Sequence, residues 1–281
     1  MKPNHERRTI NELAMRYKLE PELKDIYVEG VFDQDILRNG LSSVGINGRV
    51  VYEIDVVDIP EILLNKHGLS DGNKQRVLVL ARELANTKPC AAYKCLVDRD
   101  LDHYLGNLET TDGLVWTLYT SLELYFFESE LIELILVTTA KARISDFQQY
   151  LSSLSRILRE LYILRLADHE LGLSLKWLSF NRLVTKDDSC LQFDSEVYKH
   201  RLLDKNSKRN RETEFNISFT NWEAKLAPDV RLSSRGHDFI NLLAHSVRLF
   251  GGIKEYSSPA AIERLLVLLA DKSPNLLNGL T

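Results

Sequence analysis

Two short runs hold the acids whose spacing suits chemistry. Asp25-Ile-Tyr-Val-Glu-Gly-Val-Phe-Asp33 reads as a buried strand ending on Glu29, then a glycine, then a second carboxylate at Asp33. Further along, Tyr93-Lys-Cys-Leu-Val-Asp-Arg-Asp100 reads as another strand that ends in Asp-x-Asp, at Asp98 and Asp100. Two strands of one parallel sheet that each deliver acids at their carboxyl ends build a single acidic pocket, because such sheets bind ligands at that edge. Carboxylates are hard oxygen donors that suit Mg²⁺ or Mn²⁺, and such ions serve phosphate chemistry. If strand pairing runs on through the motif, Asp98 and Asp100 point to the same side. Like charges held that close require a cation.

Each acid also has an ordinary task to weigh. Asp33 at the start of a helix caps free N–H groups. Gly30 lets the backbone turn tightly. An Asp-x-Asp can be a surface loop of acids, and Asp102 either extends the cluster or lies outside it. A Glu that precedes Gly at a strand end has no routine structural task, so Glu29 is the residue expected at the centre of any reaction.

The elements that must position these acids follow from hydrophobic spacing. A short helix is expected around Ile10 to Tyr17, a strand at Asp25 to Val28 and a helix from Asp33 to about Asn39. A second strand is expected at Arg49 to Val57. After Asp71-Gly72, a helix from Asn73 to about Ala85 carries Val77, Leu80, Ala81 and Leu84 at helical spacing, and Lys88-Pro89 ends it. Further strands are expected at Ala91 to Val97 and Leu114 to Tyr119. This alternation predicts an α/β fold with a parallel sheet and flanking helices. The rhythm then changes, and Leu122 to Val137 and Ile144 to Trp177 read as helical. Leu151, Leu154, Leu158 and Leu161 form a core stripe in the second of these. The expected division is an α/β domain over residues 1–135 and a mostly helical C-terminal domain over 136–281.

Lys199 to Thr213 is polar and basic, with Lys205, Lys208, Arg209 and Arg211 close together. Such a run is a solvated loop or a loop that contacts phosphates. Two helices follow, at Gly236 to Phe250 and from Ser258-Pro259 onwards, where proline fits the first turn. His237, in Arg235-Gly-His-Asp-Phe239, opens the first of them and is either a packed residue of the helix start or a phosphate contact. Ser273 to Thr281 reads as a loose tail. Trp116, Trp177 and Trp222 are expected in the core.

Bulk composition narrows the class. Hydrophobic residues at 44% and charged residues at 27% describe a folded globular chain rather than a disordered one. A formal net charge of −4 excludes a surface that traps nucleic acid by overall charge, so such a substrate needs local basic patches or a basic partner. Cys90, Cys95 and Cys190 have no CxxC spacing, which argues against structural zinc and fits a reducing cytosol. The N-terminal residues have no apolar core of a signal peptide. The longest apolar stretch, Leu131 to Val137, is interrupted by Glu133 and too short to span a bilayer. The expected location is cytoplasmic, with no membrane association.

The two acidic runs together resemble the Toprim fold, whose pattern is a strand ending in Glu-Gly followed by a later strand ending in Asp-x-Asp. Val28-Glu29-Gly30 with Asp33 is similar to the version found in OLD-type nucleases, and Val97-Asp98-Arg99-Asp100 supplies the other half. Leu118-Tyr-Thr-Ser-Leu-Glu-Leu-Tyr125 resembles a segment of DUF4435 proteins, with Thr120 interrupting the match. The resemblance implies a Mg²⁺- or Mn²⁺-dependent nuclease. Asp98 and Asp100 would hold one ion, and Glu29 would join that shell or act as general base. Asp33 and Glu123 are candidates for a second ion. It further implies an ABC-type ATPase partner that restrains the chain, as in PARIS-type anti-phage systems. There the Toprim subunit is an effector aimed at tRNA, and the chain would be a homodimer when active.

Other readings stay open. A non-catalytic Toprim-like subunit would bind the ATPase and perhaps nucleic acid. A primase would need a zinc module that these cysteines cannot supply, and a topoisomerase would need a separate tyrosine-bearing domain. A receiver domain would also cluster acids, but it does not usually place Glu-Gly there and leaves the helical half unexplained.

Overall fold

The computed structural model describes residues 7–87 and 92–280. Lys88-Pro89, Cys90 and Ala91 lie outside the described residues. Two compact units emerge. One runs to Leu122 and takes in Leu266 onwards; the other is Glu123–Leu265. The division thus falls earlier than residue 135, and the C-terminal residues return to the first unit.

In the first unit the elements are β1 (Arg8–Thr9), α1 (Ile10–Leu19), β2 (Lys24–Val28), α2 (Val31–Ser43), β3 (Arg49–Glu53) and β4 (Val57–Asp58). Then come α3 (Glu61–Lys66), α4 (Asn73–Thr87), β5 (Lys94–Val97), α5 (Asp102–Leu105) and β6 (Leu114–Trp116). Four strands form one parallel sheet in the order β3-β2-β5-β6. This is the α/β architecture that the alternation predicts. The expected strand Arg49 to Val57 is divided, because one turn of 3-10 helix at Ile54–Val56 sends β4 off to pair with β1.

Register fixes where the acids emerge. β2 runs beside β3 over five residue pairs, from Lys24↔Arg49 to Val28↔Glu53. Beside β5 it is paired, among the described residues, at Ile26↔Lys94 and Tyr27↔Cys95. Both β2 and β5 end one residue before an acid, so Glu29 and Asp98 leave the sheet at the same edge.

Alternation along the strands sets the two faces. Tyr27, Cys95 and Val97 pack into one core with Leu13 and Tyr17 of α1 and with Val77, Leu80, Ala81 and Leu84 of α4. Within it the Tyr17 hydroxyl bonds Tyr27 (2.7 Å) and donates to the buried Asp25 (3.0 Å). Burial raises the Asp25 pKa, opposed by that hydroxyl and by Arg16. Helix α2 buries Ile36, Leu37 and Leu41. Its Asn39 amide donates to the Val267 carbonyl at 2.6 Å. A Cβ at Gly40 would stand 3.0 Å from Leu276 Cδ2, so glycine there admits the returning chain.

The second unit holds α6 (Ser129–Glu133), a π-helical turn (Leu134–Thr139) and α7 (Phe147–Glu170). A hairpin of β7 (Val184–Asp187) and β8 (Cys190–Phe193) follows, then α8 (Ser195–Lys205), α9 (Glu212–Lys225) and α10 (Gly236–Leu249). The chain passes back through α11 (Pro259–Leu268). Leu154, Leu158 and Leu161 are fully buried on α7, as their spacing predicts. That helix stops at Glu170 and does not reach Trp177, since Gly172 takes a left-handed conformation (φ 59°). The hairpin was not expected. No described helix is long and apolar enough to cross a membrane.

Ser273 to Thr281 is not a loose tail over its described residues, since Leu276 and Leu280 are buried. Leu280→Ala should therefore cost about 2–5 kcal/mol. Urea unfolding would show this as a lowered midpoint, and an unchanged midpoint would restore the loose-tail reading.

Candidate functional site

Glu29 is the first residue past β2, and its carboxylate reaches across to the next strand. The Asp98 amide donates to Glu29 Oε1 at 3.0 Å. The Glu29 carboxylate thus meets the backbone of Asp98 at one sheet edge. Glu29 is also held by its backbone, because the Asn73 side-chain amide donates to its carbonyl at 2.8 Å. Asn73 is the first residue of α4.

Gly30 is extended (φ −150°, ψ 178°) rather than tightly turned. That conformation is open to any residue, and a Cβ there would meet only Asp33 Oδ2 at 3.9 Å. The expected turn is absent, because α2 starts directly from extended backbone. Asp33 in its first turn accepts the Gly30 amide at 3.0 Å. This is the capping task of an acid at a helix start, where the helix dipole also favours negative charge.

The second motif departs from strand geometry. β5 ends at Val97, and Asp100 takes a left-handed conformation with φ 44°. Aspartate tolerates that region better than most residues. Alternation therefore does not carry from Asp98 to Asp100, and the two do not share a face by strand periodicity. Hydrogen bonds hold the turn instead. The Arg99 amide donates to Thr117 Oγ1 (3.1 Å), whose hydroxyl donates to the Tyr119 carbonyl (2.7 Å). The Asp100 amide donates to the Thr120 carbonyl at 2.8 Å, and the Asp102 amide to the Arg99 carbonyl at 2.8 Å. The Leu118–Tyr125 segment thus supports the acidic turn through Tyr119 and Thr120.

Lys74 is the residue that sequence reading missed. Its ammonium lies 3.0 Å from Asp100 Oδ2 and 2.7 Å from Asp102 Oδ2, and 5.5 Å from the centre of the Trp116 ring. Burial opposes the charged form, but Asp100 and Asp102 outweigh it and hold the Lys74 pKa above the ordinary lysine value. Asp102 also accepts from Asn107 at 3.0 Å, so it belongs to the turn rather than lying outside it. Trp116 is half-buried and packs against the edge of the core. Beside the turn, burial and then the neighbouring Arg99 lower the His103 pKa. Arg99 Nε is buried with no hydrogen-bond partner among the described residues.

The remaining candidates lie in the second unit. Glu123 is half-buried on a one-turn helix, Leu122–Phe126. The basic run is not a loop throughout, since Lys199 to Lys205 closes α8. Lys205 donates to the Trp177 carbonyl (3.2 Å), and Arg211 lies 2.6 Å from Glu214. Arg209 faces Asp204 (3.4 Å) and Glu212 (4.0 Å). These local acids neutralise much of the charge a phosphate would need, and Lys208 stays half-buried. His237 is exposed at the start of α10 rather than packed, while the next residue, Asp238, is buried against Arg165 at 3.0 Å.

As an ion site, the edge offers hard oxygen donors of the right type. Asp100 is oriented towards a cation, the Lys74 ammonium. Among the described residues no three His, Cys, Asp or Glu side chains are gathered to hold a metal. Mg²⁺ is usually held by one or two carboxylates plus water and substrate phosphate rather than by a protein cage. The residues fit an ion held in that open manner. Comparison with known protein families and with curated proteins finds no match to this chain.

Thr117 is fully buried, and its hydroxyl organises the acidic turn from both sides. Thr117→Val keeps the shape and removes both bonds, so it should cost about 1–3 kcal/mol. Hydrogen exchange would check this, since the Arg99 amide should lose protection before the β2–β3 amides do. Unchanged protection of Arg99 would contradict this role.

Proposed function

We propose that this chain is a metal-dependent phosphodiesterase of the Toprim type. The observation that carries the reading is the bond from the Asp98 backbone amide to the Glu29 carboxylate across adjacent parallel strands, with Asp100 two residues on facing a cation. Asp98 and Asp100 would hold the ion with water and substrate phosphate, and Glu29 would join them or act as general base, with Asp33 as a further candidate. When bound, such an ion would polarise a phosphoryl oxygen and help activate and position a water for attack. The chain's own part is to fix the acids. Asn73 anchors the Glu29 backbone, and Thr117 and Thr120 hold the Asp98–Asp100 turn. Half-buried Arg99 and His103 add positive or protonatable groups beside that turn, suited to a phosphate.

The finer reading rests on the resemblance of the two motifs alone. In it the chain is a cytoplasmic anti-phage effector, restrained by an ABC-type ATPase and active as a dimer, that cuts tRNA. A second reading has its own support. Lys74 already neutralises Asp100 and Asp102, as suits a Toprim-like subunit that binds its partner without cutting.

Glu29→Gln separates the two. The glutamine carbonyl still accepts the Asp98 amide, now as a neutral acceptor, so stability should fall by only about 1 kcal/mol. Purified chain incubated with total tRNA and with plasmid DNA in Mg²⁺ or Mn²⁺ should cut one of them. The variant should be slower by at least about 100-fold, and EDTA should abolish cutting by the wild type. Equal cleavage by the variant would remove Glu29 from the reaction, and no cleavage of either substrate would favour the binding subunit.

A further inference from the structure

We propose that Lys74 is the resident counterion of this edge, and that a divalent cation must displace it from Asp100 in order to bind. The inference rests on the ion-binding reading above. Position gives the first argument. Lys74 is the second residue of α4, at the end of a helix where the dipole disfavours a cation. Helix stability does not explain a lysine there, whereas its partners do.

The surroundings of the ammonium give the second. It is closed in by Asp100 at 3.0 Å, Asp102 at 2.7 Å and the Trp116 ring at 5.5 Å, and the Lys74 side chain is only 11% exposed. Asp102 lies two residues beyond Asp100, and without a cation between them the two carboxylates would repel. Lys74 therefore holds the turn together while no ion is bound.

Access gives the third. The Asp100 side chain is 42% exposed, so an ion can approach it from solvent without first moving Lys74. Once there, a double positive charge and the ammonium would share one carboxylate and repel strongly. Lysine is suited to yield, because its ammonium is a point charge on a flexible stem with no fixed hydrogen-bond fork. Asp102 keeps hold of it on the far side. Ion affinity would thus be deliberately low, and the displaced ammonium would remain beside the edge where a substrate phosphate would lie.

The test is Mn²⁺ binding by the full chain, measured by titration calorimetry without substrate. Wild type is compared with Lys74→Met, Lys74→Gln and Lys74→Arg. Loss of the charge in the Met and Gln variants should tighten Mn²⁺ binding by at least about tenfold. Lys74→Arg keeps the charge and should bind no more tightly than wild type. If Lys74→Met fails to fold, the Gln variant decides, since it keeps a donor for Asp100 and Asp102. Unchanged or weaker binding in the neutral variants would overturn the inference and make Lys74 a support for the ion, while leaving the ion site itself intact. If neither wild type nor any variant binds Mn²⁺, the ion reading fails and this inference fails with it.

Discussion

At the carboxyl edge of this sheet the Asp98 amide donates to the Glu29 carboxylate, and this bond sets the two acidic motifs against each other. Among the described residues the ladder between β2 and β5 covers Ile26↔Lys94 and Tyr27↔Cys95. Past those pairs the Glu29 side chain reaches across to the backbone of Asp98. A charged acceptor makes this a strong bond, and it places a carboxylate where an ion or a phosphate would meet the sheet. The same residue thus bridges the strand pair and carries the carboxylate that the proposed reaction would use, which separates Glu29 from an ordinary surface acid.

The first turn of α4 braces that edge from above. Asn73 holds the backbone of the first acidic motif and Lys74 the side chains of the second. Two motifs far apart in sequence are thereby fixed to one rigid helix, which is itself seated on the sheet through Val77, Leu80, Ala81 and Leu84. Sites carried on packed elements hold their geometry better than sites on loops alone. The left-handed Asp100 completes the arrangement by turning the chain out of the strand, where Thr117 and Thr120 capture it.

Much of this was legible in the sequence, for physical reasons that differ by element. β2 and β5 are short apolar runs that stop at an acid, and α4 carries four core residues at helical spacing. Lys74 was hidden because a lysine after Asp-Gly-Asn reads as a solvated helix start, and its partner Asp100 is 26 residues away. The β7–β8 hairpin was hidden because Val184-Thr-Lys-Asp is mostly polar and exposed, so no alternation stands out. Charge disguised α8 in the same way. Lys199 is buried, with its ammonium on Glu196 and over the Phe219 ring, although its letter suggests solvent. The C-terminal segment looked loose because Leu276 and Leu280 sit among polar residues, and Gly40, which makes room for the first of them, lies on a distant helix.

The central claim is that this edge is where a divalent cation enters the protein. Amide resonances of the isotopically labelled full chain, recorded during addition of substoichiometric Mn²⁺, test it most directly. Paramagnetic broadening should reach Gly30 and the Asp98–Asp102 amides first and spare the β7–β8 hairpin. Broadening centred elsewhere, or none even in excess Mn²⁺, would contradict the account.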